Sequence, residues 1–132
     1  MSILLVTALY AAILALVLLV LSFRVIAVRR RLGVAVGDGG DDTLTRRIRA
    51  HANFTEYVPI ALILMLASEL AGAPDWMLHA LGATLVVGRI VHAWSLSAHS
   101  IPESTIGMSL TFLVLLGGAA LAAAAAFDAF AL

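Results

Sequence analysis

ILLVTALYAAILALVLLVLSF, residues 3–23, contains no charged side chain and no helix-breaking proline or glycine. At about 1.5 Å per residue, such a run covers the roughly 30 Å of a bilayer's hydrocarbon core. A cleaved export signal is the rival reading. It calls for basic residues before the run, a shorter apolar segment and a small-residue cleavage site. Here no Arg or Lys precedes the run, and Arg24 follows it directly. The segment therefore reads as a retained transmembrane helix.

The rest of the chain agrees. Of 132 residues, 63% are hydrophobic and 12% charged, against about 25% charged in ordinary soluble domains. Mean hydropathy is +1.09. A chain this short could not hide so much apolar surface in water. Composition thus excludes a soluble globular domain, a disordered chain and a nucleic-acid binder. Cysteine is absent, which excludes a disulfide framework, a thiolate nucleophile and a zinc–thiolate site.

Three further apolar runs follow. Phe54 opens the second, which ends at Gly72-Ala73-Pro74-Asp75; the third starts at Trp76 and meets the break Ser100-Ile101-Pro102-Glu103-Ser104; the fourth reaches Phe127. Strand-like alternation is missing, and open sheet edges are not tolerated in lipid. The expectation is an all-α membrane protein, one domain over residues 1–132. It is an up-down bundle of four transmembrane helices at about 3–23, 43–71, 75–97 and 105–127. Gly37-Asp38-Gly39-Gly40-Asp41-Asp42 makes a turn in the long first connection, and Asp42 or Thr43 is a candidate N-cap for the second helix.

All eight basic residues are Arg, and seven lie between Arg24 and Arg49. The positive-inside rule then puts the first and third connections in the cytoplasm and both termini outside. Trp76 falls where an outer-interface tryptophan belongs.

Polar residues inside the spans are the functional signal. Arg46, Arg49, Asn53 and Glu56 are spaced three, four and three apart, which returns them to one helix face. Arg47 and His51 lie off that stripe. Helix three carries Arg89 and His92, three apart. An Arg at the centre of a span costs about 2.5–3.5 kcal/mol on insertion scales. Glu56 has too short a stem to reach the interface and needs a partner, either Arg89 or an Arg of a neighbouring subunit, facing the bundle interior. One structural pair does not require so many groups, so the constellation reads as a ligand site. The excess of Arg points to a carboxylate-bearing ligand, because Arg binds carboxylates bidentately; Glu56 would accept an ammonium. His79 and His99 have no ligand-like neighbours, and no metal site is expected. Met65, Met77 and Met108 read as packing residues.

The stretch RRIRAHANFTEYVP, residues 46–59, resembles the signature of the MAPEG family, the membrane-associated proteins in eicosanoid and glutathione metabolism. The matching positions are Arg46, Arg49, Ala50, Asn53, Glu56, Tyr57 and Pro59. Small bacterial members are the most similar, through Gly37 to Gly40 and through Gly88, Arg89 and His92. The resemblance covers essentially the whole chain. It implies a homotrimer in the bacterial inner membrane, in contact with membrane lipids, with glutathione bound at subunit interfaces near the cytoplasmic side. Arg46, Arg49, Asn53, Glu56 and Tyr57 would hold glutathione, with Arg89 and His92 beside them and His51 a weaker candidate. A small lipophilic electrophile or peroxide would be the co-substrate, and the activity that of a glutathione transferase or peroxidase.

Two departures bear on the chemistry. Eicosanoid-pathway members carry helix-three tyrosines where this chain has His92 and Leu96. They also carry an Arg near the start of helix four, where this chain reads SIPESTIGMS. Ser104, Thr105, His92 or one of Arg29 to Arg31 would have to lower the thiol pKa instead. A non-catalytic protein on the same scaffold is the alternative, and a small four-helix exporter a more distant one. Exporters of this size place a carboxylate in the membrane, often in helix one, and this helix one has none.

Overall fold

The computed structural model describes residues 5–98 and 101–130; His99 and Ser100, assigned above to a connection, lie outside them. Four helices follow in order: α1 Leu5–Leu32, α2 Asp42–Leu70, α3 Asp75–Ala98 and α4 Ile101–Phe130. Each is long and apolar enough to cross a membrane. The protein is a four-helix membrane bundle.

Two helix boundaries differ from expectation for physical reasons. α1 continues past the apolar run, so Arg24 and Arg29 to Arg31 are helical. Leaving the hydrocarbon gives a helix no reason to stop, and cations in its last turns suit the macrodipole. The stop comes at Gly33, whose φ of 68° is a conformation glycine adopts without strain. The Val34 amide then bonds back to the Arg29 carbonyl at 3.0 Å, closing the helix end. α4 starts at Ile101 rather than 105, because Pro102 falls in its first turn, where a missing N–H costs nothing.

The N-cap of α2 is Asp41, one residue before the expected pair. Its carboxylate accepts the Leu44 amide at 2.7 Å. Asp38 accepts the Gly40 amide at 3.0 Å and the Thr45 hydroxyl at 2.7 Å. These bonds tie the glycine turn to the helix it precedes.

Inside, Leu14, Leu21, Phe54, Val58, Leu85 and Val114 form the core. Outside, residues such as Leu16, Phe23, Ile63 and Leu116 are exposed, which suits a surface bathed in lipid. α3 and α4 make the most intimate pair. A Cβ built on Gly107 would come within 2.7 Å of the His92 amide and 2.8 Å of the Gly88 carbonyl. Only glycine lets the two backbones approach so closely, as at other small-residue crossings in membranes. That crossing carries Arg89 and His92 into the interior.

The far end of the bundle is pinned by a carboxylate that the sequence reading passed over. Glu69, near the end of α2, accepts the amides of Val6 and Thr7, both at 2.9 Å. These are unsatisfied donors of the first turn of α1, so one helix caps another. Beside this contact the Tyr10 hydroxyl donates to the His79 carbonyl at 3.1 Å, and the two rings meet edge to face at 5.7 Å.

Candidate functional site

The seven candidate residues fall into two groups that face different ways. The first is an inner network. Arg89 is fully buried. Its Nη2 donates to Asn53 Oδ1 at 2.7 Å and its Nη1 to Thr111 Oγ1 at 3.3 Å. Met108 Sδ is 3.9 Å from Nη1, and the guanidinium lies 5.8 Å from the Phe54 ring centroid, within reach of a cation–π contact. Nε finds no partner. The Thr111 hydroxyl in turn donates to the Gly107 carbonyl at 3.0 Å. Three helices, α2, α3 and α4, thus share one cation held by neutral acceptors. His92 is also buried, with Nδ1 3.2 Å from the Ser104 carbonyl and 3.3 Å from its hydroxyl. It ties α3 to the start of α4.

The second group is the α2 stripe. Its buried positions are Leu44, Ala50, Phe54, Val58, Ala61, Met65 and Ser68. Glu56 is two residues from both Phe54 and Val58, or about 200° around the helix from each. It therefore points away from the core. Arg49 and Glu56 are exposed, while Arg46, Asn53 and Tyr57 are half-buried along the flank. Arg46 pairs with Asp42 at 2.9 Å, and the Tyr57 ring meets Phe112 edge to face at 5.7 Å.

The expected interior position of Glu56 is corrected here, and so is the first of its two expected partners, Arg89. Asn53 occupies the guanidinium instead, and Glu56 meets no partner among the described residues of its own chain. The spacing of three, four and three located a coherent face. It could not tell how far that face is rotated from the core, which depends on the apolar positions in between. Only Asn53 belongs to both groups: its backbone lies on the stripe and its amide oxygen reaches inward.

Other candidates find local roles. His51 Nε2 lies 3.1 Å from Ser22 Oγ, at the seam between α2 and α1. Met65 is fully buried, as a packing residue should be. Thr111 and Glu69 were missed. The signal for Thr111 was a hydroxyl four residues after Gly107, the last polar residue before the apolar run that follows. For Glu69 it was a lone carboxylate at a span's end with no Arg nearby.

Chemically, the inner network is closed over by the bundle, with both terminal nitrogens of Arg89 engaged and only its Nε without a partner. The flank offers a guanidinium, a carboxylate, an amide and a phenol along one face. Any ligand there would be covered only by something outside the chain.

Comparison with known proteins places the chain in a family. The "Inner membrane protein YecN" of Escherichia coli strain K12 is 43% identical over 111 residues, covering 84% of this chain and 85% of the relative. The protein of the same name from Escherichia coli O6:H1 strain CFT073 matches equally. The model of the MAPEG family matches residues 7–124, nearly the whole bundle including the α2 stripe. The chain belongs to the MAPEG family.

Proposed function

We propose that this protein binds glutathione on the exposed flank of α2, between subunits of a homotrimer in the bacterial inner membrane. The observation that carries the reading is Glu56. A carboxylate exposed on the outside of a membrane helix, without an internal partner, is costly in lipid. A neighbouring subunit and a polar ligand would remove that cost together. Arg49 and Arg46 would take the two carboxylates of glutathione through charge-assisted bonds. Glu56 would accept its ammonium, and the Tyr57 hydroxyl would complete the set. Arg89 and His92 act from behind: Arg89 holds the Asn53 amide, and His92 holds the start of α4. The arginine end lies in the cytoplasm and both termini outside, by the distribution of the seven clustered arginines.

The chemistry that fits this ligand is transfer of the glutathione sulfur to a lipophilic electrophile, or reduction of a lipid peroxide. It requires a thiolate. The start of α4 contains no Arg, and this favours a second reading, a glutathione-binding scaffold without transferase activity. Calorimetric titration of the detergent-purified protein with glutathione, followed by an ultraviolet scan for thiolate absorbance, tests both. Binding with thiolate supports the enzyme. Binding without it supports the scaffold. Absence of binding rejects the glutathione reading. Reporter fusions at the C-terminus test the orientation, and a reporter active in the cytoplasm would overturn it.

A further inference from the structure

At the arginine end, on another side of α2 from Glu56, three helices meet around a recess lined by Arg24, Thr43, Arg46, Arg47 and Ser97. Arg24 Nη2 donates to Ser97 Oγ at 2.5 Å, and Arg47 Nη1 donates to the Arg24 carbonyl at 3.0 Å. Both acceptors are neutral, so these bonds orient the two guanidinium groups without offsetting their charge. Arg46 differs, because Asp42 faces it at 2.9 Å. Two like charges lining one recess attract an anion, and their remaining N–H donors match a phosphate well.

Arg24 and Ser97 also head a second feature. A groove of about 410 Å3 runs between α1 and α3, with Arg24 and Ser97 at its polar end. Leu16, Val20, Ile90 and Trp94 line its length, and all four are more than half exposed. Arg24 directly follows the apolar run of α1. It therefore sits where hydrocarbon gives way to headgroups, and a tryptophan beside it suits that depth. The cavity has the outline of an amphiphile, with a cationic head site and an apolar trough entering the membrane.

We propose that this is a binding site for an anionic phospholipid of the adjacent leaflet. Its phosphate sits on Arg24 and Arg47, and one acyl chain lies between α1 and α3. Basic recesses between transmembrane helices are suited to such headgroups. The continuity of the trough with the head site favours a lipid over a soluble anion, which would leave the trough unused. The site is independent of the glutathione reading and shares with it only Arg46, at the rim.

The test is native mass spectrometry of the delipidated protein in a neutral maltoside detergent. The probes are dioleoyl-phosphatidylglycerol, dioleoyl-phosphatidylcholine and inorganic phosphate. The anionic lipid should bind about tenfold or more tightly than the zwitterionic one. Arg24→Gln/Arg47→Gln should weaken phosphatidylglycerol by about tenfold or more. Val20→Trp fills the trough from an exposed wall position without touching the arginines or the core. It should weaken the lipid while leaving any phosphate binding intact, and it keeps the test valid if the double variant fails to fold. Equal binding of the two lipids by the wild-type protein overturns the proposal, as does phosphatidylglycerol binding undiminished in Val20→Trp. Binding of inorganic phosphate with no lipid binding also overturns it and leaves a soluble-anion site.

Discussion

Two carboxylates on α2 receive opposite treatment. Glu69, near one end of the helix, has both oxygens filled by amides of α1 at 2.9 Å. Glu56, thirteen positions earlier in the sequence, is exposed on the flank of the same helix. The first is satisfied within the chain and serves the fold. The second has no partner among the described residues of its own chain, and under the proposed function it serves a ligand from outside. On that proposal, internal satisfaction separates a structural from a functional polar residue better than depth in the membrane does. Arg89 is a fully buried charged residue, and it too finds its partners internally, with its terminal nitrogens on Asn53 and Thr111 and Nε left without one.

The comparison breaks most readily at Arg89. Arg89→Ala should destabilise the bundle by about 2–5 kcal/mol, since it empties a packed site and strands the Asn53 amide. Arg89→Met should cost less, because it strands the Asn53 amide equally but refills the packed site with an apolar side chain of similar length and buries no charge. Thermal melting in detergent measures both. The Glu56→Ala/Arg89→Ala double variant is the sharper probe. Groups without a shared contact should give nearly additive effects. If Glu56→Ala rescued Arg89→Ala, the two residues would be paired after all, and Glu56 would join Glu69 as a structural group.

Next in size come Arg49→Ala and Glu56→Ala. Each should leave the melting temperature of the subunit nearly unchanged, because both side chains are exposed. Each should weaken glutathione binding by about tenfold or more, as loss of one charge-assisted bond costs about 1.5–3 kcal/mol. Calorimetry and oligomer size in mild detergent are the measurements. Wild-type affinity and assembly in Glu56→Ala would mean that the exposed carboxylate serves no partner.

These outcomes also mark what the sequence made legible. Four spans could be read because lipid demands long apolar runs, and the α2 stripe could be read because charge in such a run needs a reason. Rotation of the stripe could not. It follows from where Phe54, Val58 and Ala61 find neighbours on the other helices, and an apolar helix shows little asymmetry before those neighbours are known. The end of α1 was misplaced for a similar reason. Hydropathy marks the edge of the hydrocarbon, whereas the helix stops only at the conformation Gly33 allows. Asn53 appeared as one more ligand group, and its role as the partner of Arg89 depended on how α2 and α3 face one another.

Glu69 should show a smaller effect. Glu69→Ala leaves the Val6 and Thr7 amides without their acceptor, and loss of a helix cap costs about 0.5–2 kcal/mol. The cost should fall on stability and on amide exchange in the first turn of α1, with glutathione affinity unchanged. A loss of affinity matching that of Glu56→Ala would erase the distinction between the two carboxylates.

The smallest effect belongs to Asp38, a third carboxylate, which sits in the loop that sets where α2 begins. The Gly40 amide and the Thr45 hydroxyl both donate to it, and these bonds hold its carboxyl below the ordinary value of 3.8. A folded-state pKa that is lowered contributes stability at pH values above the free-chain value, and that contribution is lost as pH falls through the folded one. Near neutral pH the loop should therefore be fully pinned, and it should loosen only in acid. Carbon NMR of the Asp38 carboxyl in detergent gives the midpoint directly. It should lie below that of a free aspartate, and Thr45→Val should raise it while leaving the Gly40 bond in place. Because Asp38 stays ionised across pH 6–8, any change of glutathione affinity in that window must come from other groups. An affinity that falls in acid along with the Asp38 titration would instead tie the loop to the flank that carries Arg46 and Arg49. The internally satisfied and the outward-facing carboxylates would then be coupled through the start of one helix.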